Sequence, residues 1–531
     1  MTLSSQFAGS TVASALATRA TTDSGRPYLL HRAESLTFGD IESKAEALAA
    51  SLSNLGLQAG DRLALVLTPC PEFVIAMFAS AKLGVVIVPL NPQLPAGELQ
   101  YALRHSEAVC AVTIEESLGT DYLALFEELM AQLPDLRYLV TVGQEDLWYD
   151  DRIFQFEDLV SAGAGRDYPA TDAEPPESCF ALVYTSGTMG KPKGVQLSHA
   201  NLLAAAAGTA DAIGLASSDT IVGVSALFHV FGLGPGLLST LLAGASVVLH
   251  EETGAEATLE SIELHRATVH YGIPTHFIAE LDASAQRPRD LSSLRLAVIA
   301  GAPVGEELIE RLKVEFGVAV TTAYSLTETS STVTASRPDD PQDKRRFTVG
   351  RPITGTSVRV IETDGSELPV ESVGEIAVWG PGVMLGYHRQ PKETSSAFDA
   401  DGYFLTGDLG LLDEEGYLHL VGRKKDVIIK AGFNVYPREV EARIESHPAV
   451  QEVAVVGIPD PLLGEAICAC IVPVEGAIVT GQEIVDWCSE TLADPKVPDM
   501  AHFIDELPRT DTGQVRRTAL SREIRTKGPS V

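Results

Sequence analysis

A chain of 531 residues, 45% hydrophobic and 21% charged, has the balance of a soluble globular protein large enough for two or more domains. Its formal net charge of −33 excludes non-specific nucleic-acid binding, which needs a basic face, so an anionic ligand must be met by a local basic patch. No apolar run is long enough for a membrane span, the N-terminus lacks the basic start and apolar core of a signal peptide, and the 6 cysteines form no CxxC pair, so a reducing cytoplasm is expected rather than a disulfide framework.

The first regular pattern follows Thr37-Phe-Gly-Asp40. Ile41, Ala45, Leu48, Ala49, Leu52 and Leu55 recur at helical spacing, and Gly56 and Gly60 close the predicted helix. Residues 61–67 read as a buried strand, 71–83 as a helix and 85–90 as a second buried strand. Helices alternating with short continuous apolar strands imply a mostly parallel sheet covered on both faces. The alternation resumes with strands at 111–114 and 139–142, and the polar stretch 161–177 reads as a surface loop.

Tyr184-Thr-Ser-Gly-Thr-Met-Gly-Lys-Pro-Lys-Gly194 follows the apolar run Phe180-Ala-Leu-Val183. Glycines let backbone N–H groups approach an anion. Thr185, Ser186 and Thr188 around Gly187 add hydroxyls, and Lys191 and Lys193 add charge, so the stretch reads as a phosphate-gripping loop. It is not a Walker A loop, because Pro192 follows Lys191 where that motif needs Ser or Thr and a helix. A flexible linker is the plainer alternative.

A helix is predicted over 200–212, then strands at 221–224, 245–249, 269–273 and 296–300, with the apolar segment Phe228-His-Val-Phe-Gly232 onward among them. Gly301-Ala-Pro-Val-Gly305 ends a strand and opens a helix, the place where open α/β sheets bind ligands. Residues 318–324 deliver Ser325-Leu-Thr-Glu328, either a functional hydroxyl–carboxylate cluster or a helix N-cap with its first-turn acid. From 357 to 421 the pattern turns β-rich, and past Lys425 a smaller α+β unit follows. Its Cys468 and Cys470 read as small core residues rather than a metal site, and its basic tail as an anion contact or a solvated helix face.

In order along the chain, these pieces resemble the adenylate-forming superfamily of acyl-CoA synthetases, peptide-synthetase adenylation domains and luciferases. The matching stretches are Tyr184–Gly194 (with Met189 where threonine is commoner), Phe228–Gly232, Gly301-Ala-Pro, Ala323-Tyr-Ser-Leu-Thr-Glu328, Gly374-Glu-Ile, Thr406-Gly-Asp408, Gly422-Arg423 and Phe433-Asn-Val-Tyr-Pro-Arg-Glu-Val-Glu441. Asn434-Val-Tyr-Pro leans towards the CoA ligases.

The resemblance implies an α/β fold. A large N-terminal domain of doubly wound sheets spans 1–424, with a β-rich subdomain at about 350–421, and a small mobile α+β C-terminal domain spans 425–531, hinged near Lys425. It implies ATP, Mg²⁺ and CoA as cofactors, and a small-molecule acid, aryl or medium-length, as partner. Thr185, Ser186, Gly187, Thr188 and Lys193 would hold phosphates; Glu328 would bind Mg²⁺ and Thr327 the α-phosphate. Tyr324 would pack on adenine near Gly301 and Ala302, with Asp408 on the ribose and Arg423 beside it. His229 would stand where the acyl and pantetheine paths meet, Gly432 in the CoA tunnel, and Val230, Phe231, Thr275, Ser325, Leu326, Ser330 and Ser331 in the acyl pocket.

One position departs from the family. In Pro508-Arg-Thr-Asp-Thr-Gly-Gln514-Val-Arg516, Gln514 stands where the catalytic lysine is expected. Four readings stay open: another cation such as Arg516 substitutes; the lysine was deliberately replaced; ATP activates a non-carboxylate such as nitrite, diazotising an aromatic amine; or the chain is an ATP-binding pseudoenzyme.

Overall fold

The computed structural model describes residues 2–117, 119–145, 150–169, 175–185, 192–224, 226–250, 254–302, 304–509 and 514–527. Close packing groups the chain into two units, Met1–Ser357 with Trp379–Phe398, and Val358–Val378 with Asp399–Val531.

The first unit holds two large sheets. One is nine-stranded, in the spatial order Arg351–Pro352, Ser331–Ala335, Ala319–Leu326, Leu296–Ile299, Val269–Gly272, Thr220–Val222, Ser246–Leu249, Pro27–His31 and Glu34–Thr37. The strands from Ala319–Leu326 to Pro27–His31 are parallel, and antiparallel strands close both edges. The other is eight-stranded, in the order Gly386–Tyr387, Lys193–Ser198, Cys179–Thr185, Val86–Pro89, Arg62–Val66, Cys110–Ile114, Tyr138–Val142 and Ile153–Gln155. Its first two pairings are antiparallel and the rest parallel. Parallel strands need both faces covered. Val86–Pro89 is accordingly buried along its whole length.

Local chemistry sets the helix ends. The predicted first helix runs Phe38–Asn54, starting earlier than its apolar spacing because Thr37 and Asp40 form a capping box. Helix His199–Ile213 begins at a Ser198–Asn201 capping box and stops at Gly214 in the left-handed conformation.

That helix opens with a pH-sensitive residue. His199 is buried, stacks on Phe180 at 4.5 Å, and accepts the Val12 N–H at Nδ1 over 3.2 Å. Burial pushes its pKa down to about 4. The unfolded chain therefore binds a proton between pH ~6.5 and ~4 that the native state refuses, and stability falls as pH drops through that window. The expected loss is about 3 kcal/mol from this group. Denaturant titration from pH 7 to 4 should show a shallower acid limb in His199→Asn.

The second unit carries a four-stranded sheet in the order Ser357–Ile361, Gly374–Trp379, Phe404–Leu412 and Leu418–Arg423, its last two pairings antiparallel. Beyond the turn Lys424–Asp426 lies a second sheet built on the long hairpin Val450–Asp460 and Gly464–Pro473. Cys468 and Cys470 are fully buried core residues. The basic tail forms the helix Arg517–Lys527, which buries Leu520 and Ile524, while Arg517 pairs with Glu441 and Asp426. No helix among the described residues is long and apolar enough to cross a membrane.

Candidate functional site

Most of the expected site residues of the first unit lie past the C-terminal ends of parallel strands of the nine-stranded sheet. His229, Val230 and Phe231 follow Thr220–Val222; Thr275 follows Val269–Gly272; Gly301 and Ala302 follow Leu296–Ile299; Ser325 and Leu326 end Ala319–Leu326. The register Ile299↔Thr322 puts Gly301 and Tyr324 two residues beyond one rung. This is the edge where open α/β sheets bind ligands, because the strand ends leave loops free to line a crevice.

The His229 segment is held by unusual backbone. Gly232–Leu238 is a π-helix containing Pro235, whose first N–H groups at Gly232 and Leu233 donate to the His229 carbonyl. Gly232 is required there, since a Cβ would stand 2.2 Å from the Ala226 carbonyl oxygen. The imidazole is half-buried, accepts the Phe231 N–H at Nδ1 over 3.2 Å, and is pushed down to about 4 by burial. It is therefore neutral at pH 7 and carries its proton on Nε2. The Phe231 ring meets Tyr271 edge-on at 5.4 Å.

Val230 and Tyr324 are buried, Leu326 and Ser325 half-buried, and Thr275 exposed. Thr327 lies inside the short 3₁₀ turn Thr327–Thr329 rather than capping a helix; the residue before the turn, Leu326, makes no side-chain cap. Ser330 and Ser331 follow with φ of 57° and 103°, fully buried. Their hydroxyls have no hydrogen-bond partner among the described residues. Strained backbone and buried unpaired hydroxyls are costly, and the two coincide here.

Ser186, Gly187, Thr188 and Lys191 lie outside the described residues. The stem of their loop is in view: Thr185 pairs with Lys193 on the antiparallel strands Cys179–Thr185 and Lys193–Ser198. Tyr184, at the head of the loop, bonds His105 Nδ1 through its hydroxyl at 2.8 Å. Lys193 Nζ sits 4.5 Å from the centre of the Tyr387 ring, and the Tyr387 hydroxyl donates to Glu328 Oε1 at 2.9 Å. Glu328 Oε2 accepts no hydrogen bond among the described residues. The sequence pattern gave no sign of Tyr387. It sits 59 residues from Glu328 in a two-residue strand, and only sheet pairing brings it to the site.

In the second unit Asp408 and Arg423 are cross-strand partners, with Nε 3.1 Å from Oδ1 and Asp408 buried. Lys425 lies two residues on, in the turn Lys424–Asp426; burial lowers its pKa, and Arg423 and Arg517 add to the shift. Gly432 and Ala431 turn the hairpin between Ile428–Lys430 and Phe433–Val435 with φ of 84° and 51°. That two-residue turn demands a glycine for its own reasons. Gln514 is exposed, next to the bridge Arg509↔Val515.

Among the described residues no three His, Cys, Asp or Glu side chains gather into a metal cage. A single carboxylate with a free oxygen suits Mg²⁺, which takes one or two carboxylates together with substrate phosphates.

Known proteins match the chain over most of its length. The family described as AMP-binding enzyme matches residues 16–388, and the AMP-binding enzyme C-terminal domain matches 439–514. A feruloyl-CoA synthase from an Amycolatopsis species is 34% identical over 501 residues, covering 93% of this chain and 95% of its own. ATP-bound MatB from Rhodopseudomonas palustris superposes with a TM-score of 0.87 at 30% identity, covering 96% of this chain and 99% of that one. The anthranilate CoA ligase AuaEII, in complex with anthranoyl-AMP, gives 0.89 at 27% identity and covers 99% of both chains. The chain therefore belongs to the AMP-binding enzyme family, as an adenylate-forming protein of the acyl-CoA ligase type.

Proposed function

We propose that this chain activates a small carboxylic acid with ATP and passes the acyl group to CoA. The observation that carries the reading is the Lys193–Tyr387–Glu328 array: a cation from the phosphate-loop stem and a hard oxygen donor stand on one phenol. An acid oxygen attacks the α-phosphorus, the bond to the β-phosphate oxygen breaks, and pyrophosphate leaves. The thiol sulfur then attacks the acyl carbon, AMP departs with the C–O electron pair, and the thiol proton is released.

The first step brings two anions together, so the site must neutralise charge as it develops. Lys193 and Thr185, joined by Ser186, Gly187 and Thr188 of the same loop, hold the β- and γ-phosphates. Thr327 reaches the α-phosphate. Glu328 offers its free oxygen to Mg²⁺, which when bound with ATP supplies positive charge to the phosphates. Tyr324 packs on adenine beside Gly301 and Ala302, and Asp408, oriented by Arg423, accepts the ribose hydroxyls. Neutral His229 donates from Nε2 at the junction of the acyl and pantetheine paths. Gly432 lines the CoA tunnel, and the C-terminal domain 425–531 pivots near Lys425.

The acyl-AMP held by a relative favours a carboxylate over nitrite as the partner of ATP. The edge-on Phe231 and Tyr271 rings and the unpaired Ser330 and Ser331 hydroxyls suit an aryl or medium-length acid bearing a polar group. Acid-dependent pyrophosphate release should be measured across aryl, polar medium-chain and long-chain acids, with and without CoA. Aryl or polar acids are expected to exceed long-chain acids by about tenfold or more in kcat/KM. A panel won by long-chain fatty acids overturns the substrate assignment, and no release with any acid overturns the reaction.

A further inference from the structure

Residues 384–388 tie together two parts of the molecule far apart in sequence. The Met384 N–H donates to the Glu328 carbonyl at 2.8 Å, the Leu385 N–H to Gln196 at 2.9 Å, and the His388 N–H to Gly194 at 2.7 Å. The strand Gly386–Tyr387 completes the edge of the eight-stranded sheet, with Tyr387 opposite Val195. Thr394 Oγ1 accepts the Tyr387 N–H at 2.9 Å and so fixes the backbone from which the ring projects. The segment thus grips both the turn that carries Glu328 and the strand that leaves the phosphate loop.

The Tyr387 side chain repeats that bridge. Its hydroxyl donates to Glu328 Oε1 at 2.9 Å, and its ring lies under Lys193 Nζ at 4.5 Å. A carboxylate with one oxygen pinned by a phenol has a fixed plane and presents its other oxygen in a fixed direction. A lysine over an aromatic face likewise loses little freedom when an anion arrives, because the ring has already drawn it into place.

We infer that Tyr387 is a positioning residue for the metal–phosphate end of ATP. It aims Glu328 Oε2 at the cation and Lys193 at the phosphates, and touches neither ligand itself. The inference rests on the assignment of Glu328 as the Mg²⁺ carboxylate. Hydrogen bonds that orient a metal ligand typically change metal affinity by 10- to 100-fold when removed.

The test compares the full chain with Tyr387→Phe, Tyr387→Leu and Glu328→Gln. Bound Mn²⁺ in the enzyme–ATP complex is titrated by electron paramagnetic resonance. Mg²⁺ dependence of pyrophosphate release is measured in parallel, together with metal-free ATP binding by calorimetry and thermal unfolding without ligand. Tyr387→Phe keeps the ring and loses the hydroxyl. It is expected to raise half-saturating Mn²⁺ and Mg²⁺ at least tenfold, with metal-free ATP binding and the unfolding midpoint unchanged. Tyr387→Leu is expected to weaken metal-free ATP binding about threefold as well, through loss of the ring under Lys193. Metal curves for Tyr387→Phe within twofold of the parent, while Glu328→Gln shifts them, overturn the inference and leave the Glu328 assignment standing. Unshifted curves in Glu328→Gln overturn the assignment, and the inference with it.

Discussion

Arg516→Gln is expected to lower acid-dependent pyrophosphate release by about 10²–10³-fold, the cost of deleting one donor aimed at the transition state. Gln514 supplies an amide but no charge where the family places its lysine, and Arg516 is the cation proposed to substitute. Val515 forms an isolated antiparallel bridge with Arg509. Along an extended chain alternate residues share a face. Gln514 and Arg516 are both exposed, while Val515 between them packs against the core that contains Leu507 and Leu520. Two other tail cations are engaged: Arg509 pairs with Glu452, and Arg517 with Glu441 and Asp426. No carboxylate among the described residues pairs with Arg516.

Two further measurements make the assignment specific. Thioester formation from a supplied acyl-AMP and CoA should change little in Arg516→Gln, because the cation serves the first step. Gln514→Lys in the Arg516→Gln background should restore release. If Arg516→Gln is as active as the parent, another group neutralises the α-phosphate and the role of Arg516 is refuted.

Asp408→Ala is expected to weaken ATP binding by roughly 10²-fold, about 3 kcal/mol for two hydrogen bonds to a charged acceptor. Asp408 is buried on a cross-strand rung with Arg423, which holds the carboxylate in place at 3.1 Å. Truncation also strands the guanidinium, so affinity alone does not separate ribose recognition from local damage. A nucleotide lacking both ribose hydroxyls makes the separation. The parent should bind 2′,3′-dideoxy-ATP about as poorly as Asp408→Ala binds ATP, and the variant should treat the two nucleotides alike. A variant that still prefers ATP by the parental margin shows that the ribose is held by another group. Asp408→Asn, which keeps one acceptor, should fall between.

The strands and helices with strong periodicity were legible in the sequence. The run 85–90 is apolar throughout, so it could only be a strand covered on both faces, and it is the buried strand Val86–Pro89. Edges were harder to read. Pro27–His31 and Glu34–Thr37 close one side of the nine-stranded sheet, and only the second-strand register Leu29↔Leu36 explains why Glu34-Ser-Leu-Thr is extended at all. A polar edge strand has no pattern of its own, because half of its pairing surface faces solvent.

The candidate site divides in the same way. Glycine, hydroxyl and lysine spacing marked Thr185 and Lys193, and the turn after an apolar strand marked Gly301 and Thr327, because those features depend on neighbours a few residues away. The departure at Gln514 was visible only through the family resemblance, which sets the lysine expected there. Tyr387 was invisible, as were His105 beside Tyr184 and the unpaired hydroxyls of Ser330 and Ser331. Each owes its importance to a contact made through sheet pairing or burial. Local spacing showed the alternating strands and helices and the glycine-, hydroxyl- and lysine-rich loop, while the missing lysine showed only through the family resemblance. Which side chain meets Glu328, and which hydroxyls stay unpaired in the core, depends on long-range packing, which no single stretch of chain encodes.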